Sequence, residues 1–301
     1  MKRRPLTVTA AVLWFVAATI LALVFVRATS VLRPGWGTGL ASAVACQSAA
    51  YLIVAFVVAR FHENDLPTTQ VLGFRKTHFA FYPLALMLGV LLQVPAELLG
   101  RLVSRFTPIP PDVMEHQAEM LRMDSTLSAI LIPLAAVVLG PVVEELLFRG
   151  AFFGGMRRCN SGFVTILVVS VLFAAAHQSG QLFFPLLIIG GVISWMREAT
   201  GSIGPCLIAH AAFNGCAIFL LGMGWVGVSG EPEHLPTIVA VGGVLACVSI
   251  VVAMAILSRR GDSALRAGLG GACPTGTCLT GACLTGARLT RARLTGARLE
   301  D

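Results

Sequence analysis

The chain has 301 residues, of which 56% are hydrophobic and only 12% charged, with a formal net charge of +7. A mean hydropathy of +0.83 and about half the charge density of an average soluble domain make it a membrane protein, built as one polytopic bundle. Lysine and arginine collect in short loops and a C-terminal tail, a distribution that orients membrane spans and argues against nucleic acid as a partner.

Eight apolar runs follow in chain order: Leu6–Val26, Leu40–Ala59, Phe79–Leu99, Leu127–Phe153, Phe163–His177, Phe183–Trp195, Ile203–Leu221 and Ile238–Leu257. The predicted fold class is therefore all-α, a polytopic bundle of about eight transmembrane helices. The first run follows Met1-Lys-Arg-Arg but exceeds the apolar core of a signal peptide, so a retained span is expected. The fifth and sixth runs are short for spans. Between the third and fourth lies Arg101–Thr126, where a Pro-rich turn precedes Asp112–Met123, read either as an amphipathic interfacial helix or as a solvated loop.

With the amino terminus inside, the inner loops hold Arg60, Arg75, Lys76, Arg157, Arg158, Arg197, Arg259 and Arg260. The outer side holds Arg27, Arg33, the mixed stretch Arg101–Asp124, and Glu231 with Glu233. The positive-inside rule then expects a cytoplasmic N-terminus in a cell membrane, taken here to be a bacterial plasma membrane. Eight cysteines are present, but no CxxC occurs, which supports neither a disulfide framework nor a cysteine zinc site. From Ala272 the chain reads ACPTG-TCLTG-ACLTG-ARLTR-ARLTG-ARLED. These pentads resemble a pentapeptide repeat; a disordered basic tail is the alternative. The expected organisation is 1–126 for N-terminal helices and loops, 127–221 for a core, 222–260 for the last span, and 261–301 for the tail.

The core breaks the apolar rule at GPVVEELLFR, residues Gly140–Arg149. Two carboxylates and an arginine there would each cost about 2.5–3.5 kcal/mol at a bilayer centre, so they need partners or a use. Glu145 and Arg149 are four apart and can pair on one helix face. Glu144 projects about 100° away, free to face something else. His177, one turn after Phe173, and the pair His210 and Asn214 bring further polar groups into apolar runs; Gln178 and Ser194 are less pointed. A lone membrane histidine is more often a packing residue than a catalyst. At about 1.5 Å per residue, Glu144, His177, His210 and Asn214 lie roughly 18, 21, 10 and 16 Å deep, all within a ~30 Å core. An acid, two imidazoles and an amide at such depths suit a buried hydrolytic site: a base for water and donors for an oxyanion.

EELLFR, FAAAH and HAAFN match the EExxxR, FxxxH and HxxxN motifs of the CPBP (CAAX protease and bacteriocin-processing, or Abi) intramembrane proteases, in that family's order and spacing. The resemblance covers about Leu127–Leu221 and implies an eight-helix bundle that hydrolyses a peptide bond of a membrane-associated protein or peptide. By position it implies that Glu144 with His177 activates water, that His210 and Asn214 hold the oxyanion, and that Glu145 with Arg149 shapes the site, beside Phe173. The family is commonly called metalloprotease. Glu144, His177 and His210 would make a zinc site with one open position, while a glutamate–histidine pair can also activate water without metal; both remain open. The other function classes are a non-catalytic immunity or scaffold protein, which would not need all four polar groups, and a transporter, for which no pair of similar halves is visible. The bilayer and a protein or peptide substrate are the expected partners.

Overall fold

The computed structural model describes residues 4–33, 39–62, 66–223 and 236–268, and among them every regular element is a helix. Glu231, Glu233 and the pentads from Ala272 lie outside the described residues. The chain divides into two compact units, Met1–Met254 and Ala255–Asp301. The helices named below belong to the first, apart from the C-terminal part of the last.

In order the helices are α1 Val8–Leu32, α2 Leu40–His62, the single turn α3 Thr68–Val71, α4 Phe81–Leu91, α5 Gln93–Ser104 and α6 Pro111–Met120. They continue as α7 Thr126–Met156, α8 Gly162–Ala176, α9 Gly180–Thr200, α10 Gly204–Gly222 and α11 Thr237–Gly268. Taking α4 and α5 as one span, seven helices are long and apolar enough to cross a membrane among the described residues, and α8 is a shorter apolar helix of 15 residues. Together they make the eight the sequence predicts.

Local chemistry sets the boundaries. Thr7, Ser161 and Ser179 cap α1, α8 and α9, each accepting from a backbone N–H three residues on, and Ser125 forms a capping box with Ser128 at the start of α7. The sixth apolar run, short as Phe183–Trp195, becomes the 21-residue α9 because it extends to the Ser179 cap and ends at Gly201, which takes the left-handed conformation at φ 64°. The third run breaks between Leu91 and Gln93. Pro95 causes the break: its ring opposes the carbonyl of Leu91 four residues back. In the connection beyond α5 a helix does form, over Pro111–Met120.

The core lies where α1, α2, α7 and α8 meet. Tyr51, Phe148, Phe152 and Phe173 are buried there, and Phe148 makes edge-on contacts with the other three rings at 5.5–6.0 Å. α4 packs on α10, and α9 on both α8 and α5. The α4–α10 contact is close because Gly89 lies against the Ala209 carbonyl, leaving no room for a Cβ. At about 1.5 Å per residue α8 rises about 22 Å, short of a ~30 Å hydrocarbon core. Its C-cap, His177, therefore ends within the thickness of a bilayer.

Candidate active site

α7 is not a uniform α-helix. Two π-helical stretches, Leu134–Leu139 and Leu146–Phe152, flank the α-helical Gly140–Glu145. Prolines bracket the first stretch: Pro133 precedes it and Pro141 follows. In this register Gly140 N–H donates to Ala135 O, so the donor due to Ala136 O would be residue 141, which is proline and has none. That orphan carbonyl accepts from Asn214 Nδ2 of α10 at 2.8 Å. Asn214 thus ties α10 to α7 about two turns before the two glutamates, spending one of its two N–H groups.

The glutamates then separate. Glu145 and Arg149 are both fully buried, and Arg149 Nη1 donates to Glu145 Oε1 at 2.8 Å. Arg149 Nη2 donates to Gly190 O of α9 at 3.0 Å, and the guanidinium lies 4.4 Å over the Phe173 ring. Glu145 Oε2 and Arg149 Nε are the polar side-chain atoms among the described residues that are buried without a partner. Glu144 keeps 14% of its side chain exposed. Gln47 Nε2 of α2 donates to Glu144 Oε1 at 3.4 Å, and Glu144 Oε2 lies 3.8 Å from His210 Nε2.

His210 stands between the two carboxylates. Its Nδ1 is 2.9 Å from Glu145 Oε1, an acceptor, so Nδ1 carries a proton and Nε2 faces Glu144. His177 is fixed by the same logic: Nδ1 donates to Phe173 O at 3.0 Å, leaving Nε2 with its lone pair in the neutral ring. Phe173 links the imidazoles, with ring centroids 5.1 Å from His177 and 5.5 Å from His210.

Six of the seven residues picked from the sequence, Glu144, Glu145, Arg149, Phe173, His177 and His210, thus form one chain of contacts, and Asn214, one turn beyond His210 on α10, is bonded to Ala136 O of α7. No hydrogen bond or ion pair joins Glu144 to His177 among the described residues. Nor do Glu144, His177 and His210 gather as a metal site: no group of three His, Cys, Asp or Glu side chains there could hold an ion. Of the less pointed residues, Ser194 is buried and accepts from Ser170 at 3.4 Å, and Gln178 takes a positive φ of 51° in the turn after α8. Sequence reasoning missed Gln47 and Gln93. Each is an amide inside or at the break of an apolar run, the same signal that picked out Asn214, and Gln93 donates to Phe213 O at 2.6 Å.

Residues 126–216 match a family model described as type II CAAX prenyl endopeptidase Rce1-like. Residues 275–301 match pentapeptide repeats. The chain is 34% identical over 88 residues to the UPF0177 protein YxdF of Lactococcus lactis subsp. lactis (strain IL1403), an alignment covering 28% of this chain and 48% of that one. The chain therefore spans about half the length of the curated relative it matches. No solved structure matches.

Proposed function

We propose that this protein is an intramembrane endopeptidase of the CPBP type, a reading supported by the match of residues 126–216 to the Rce1-like type II CAAX prenyl endopeptidase model. It hydrolyses a peptide bond of a membrane-associated protein or peptide with water activated by Glu144 and His177. The observation that supports this reading best is the division of labour between adjacent glutamates. Glu145 is sealed between Arg149 and His210 with no exposure, while Glu144 stays partly exposed, flanked by Gln47 and His210 Nε2. A sealed carboxylate builds; a reachable one reacts.

In the proposed reaction the Glu144 carboxylate takes a proton from water as the water oxygen attacks the carbonyl carbon. His177 Nε2, left unprotonated by the Nδ1 bond to Phe173 O, orients that water. The oxyanion is held by the second N–H of Asn214 and by His210. A His210 that donates through Nε2 must carry both protons, because Nδ1–H is already committed to Glu145. The proton on Glu144 then passes to the leaving amine. The proposed steps are written without a metal, because among the described residues no group of three His, Cys, Asp or Glu side chains is arranged to hold an ion. The protein lies in a bacterial plasma membrane with its N-terminus and its basic loops in the cytoplasm.

The substrate follows from a comparison of membranes carrying wild-type protein with membranes carrying Glu144→Gln. Wild type is expected to generate new peptide termini that the variant lacks, clustered near membrane boundaries. Identical terminal profiles in the two membranes would remove the protease reading.

A further inference from the structure

Among the described residues, the most buried lysine or arginine outside the proposed active site is Arg197, in the last turn of α9, with 7% of its surface exposed. Its seat is built. Gly73, at φ 83°, lies against the guanidinium, so that any Cβ at this position would collide with it. The turn carrying Gly73 is held by two bonds from the α9–α10 junction: Ile203 N–H to Gly73 O at 2.9 Å and Ser202 Oγ to Arg75 O at 2.8 Å. The Phe153 ring lies 5.6 Å from the guanidinium on α7.

What the seat lacks is an anion. Arg197 spends Nε on Arg149 O at 3.1 Å, and its Nη groups have neither acceptor nor ion pair among the described residues. Arg197 as a whole keeps 7% of its surface exposed. The neighbouring carboxylate, Glu198, is committed elsewhere: three contacts of 2.7–2.9 Å bind it to Arg157. That bond holds the Arg157 guanidinium above its ordinary pKa. Arg75 adds a second charge, exposed and close enough to be felt at Arg197, and exposed Lys76 follows it. Arg197 feels Arg75 as a like charge and Glu198 as an opposite one. Glu198, however, makes its hydrogen bonds to Arg157, so an anion that bonds the Nη groups directly would complete this buried guanidinium.

We propose that Arg197 and Arg75 form a binding site for a phosphate group at the membrane face where α9 ends and α10 begins. A guanidinium fork matches two phosphate oxygens, which an ammonium does not, and basic pockets between membrane helices at a bilayer face take phospholipid headgroups in this way. The same chemistry admits a lipid phosphodiester or free phosphate. The site does not depend on the protease reading.

The test uses full-length protein in neutral detergent, stripped of lipid, with melting temperature and bound mass by native mass spectrometry as readouts. The probes are dioctanoyl phosphatidylglycerol, dioctanoylglycerol with the same chains and no phosphate, inorganic phosphate, and sodium chloride at matched ionic strength. Phosphatidylglycerol at a hundredfold excess over its Kd is expected to raise the melting temperature by about 4 °C or more, with dioctanoylglycerol and salt inert. Arg75→Gln, at an exposed position, and Arg197→Lys, which keeps the charge and loses the fork, are each expected to abolish the shift. An equal shift from inorganic phosphate assigns the site to free phosphate; a shift from the lipid alone assigns it to a headgroup. No shift from either phosphate probe, the same shift from dioctanoylglycerol, or a full shift in Arg75→Gln would overturn the proposal. Should Arg197→Lys fail to fold, Arg75→Gln decides alone.

Discussion

Glu144 and Glu145 differ in fate because Arg149 and His210 both point at Glu145. Removing its charge leaves the Arg149 guanidinium buried without a counter-ion. Glu145→Gln is therefore expected to cost about 3–5 kcal/mol, read as a large fall in melting temperature in detergent. An unchanged melting temperature would show that Gly190 O and the Phe173 face suffice to hold Arg149. Gln47 offers the complementary case, since it touches Glu144 and nothing else identified in the reaction. Gln47→Met keeps the side-chain length and deletes the hydrogen bond. It is expected to lower turnover about tenfold, the value of about 1.4 kcal/mol for one bond to a charged group, with the melting temperature nearly unmoved. The two glutamates and Arg149 were legible in the sequence because the spacing of charges in an apolar run fixes which can pair. Gln47 was not, because its helix comes 97 positions earlier and only packing brings the two side chains together.

α7 shows why spacing alone falls short. A regular α-helix places Ala136 O in the ladder and leaves it no need of Asn214, whose oxyanion role was taken by position from the family resemblance. The π register and Pro141 instead orphan Ala136 O, and Asn214 closes it. Asn214→Ala is thus expected to cost stability as well as turnover, about 1 kcal/mol for the lost bond to a half-buried carbonyl. Pro141→Ala restores an N–H at the missing position. In a double-mutant cycle, Pro141→Ala with Asn214→Ala is expected to be less destabilised than the sum of the single variants; strict additivity would mean that Ala136 O finds water instead. Close helix contact gives another check. Gly89→Val drives two methyls into the Ala209 carbonyl, one residue from His210, and is expected to lose 1–3 kcal/mol or more, on the order seen for overpacked cores. Gly100→Val, with nothing within 4 Å of its Cβ, is expected to be neutral.

The bundle itself was the most legible feature, since apolar runs and loop charges need no tertiary knowledge. What eluded the sequence was the kink at Pro95, the true length of α9 and the π stretches, all set by backbone bonding rather than hydropathy. The proposed orientation is open to direct test. Cysteines introduced at Asn160 and Asp112 in a cysteine-free chain should react with impermeant maleimide from opposite sides of the membrane, Asn160 from the cytoplasm; labelling from one side would break the span count. The claim on which the account rests most heavily is that polar groups from α7, α8 and α10 surround one reactive water. Its direct test is hydrolysis, by purified wild type and Glu144→Gln, of a substrate found by terminal profiling, with melting temperatures measured alongside. Turnover abolished in a variant that melts like wild type is the expected result. Hydrolysis undiminished in Glu144→Gln would contradict it.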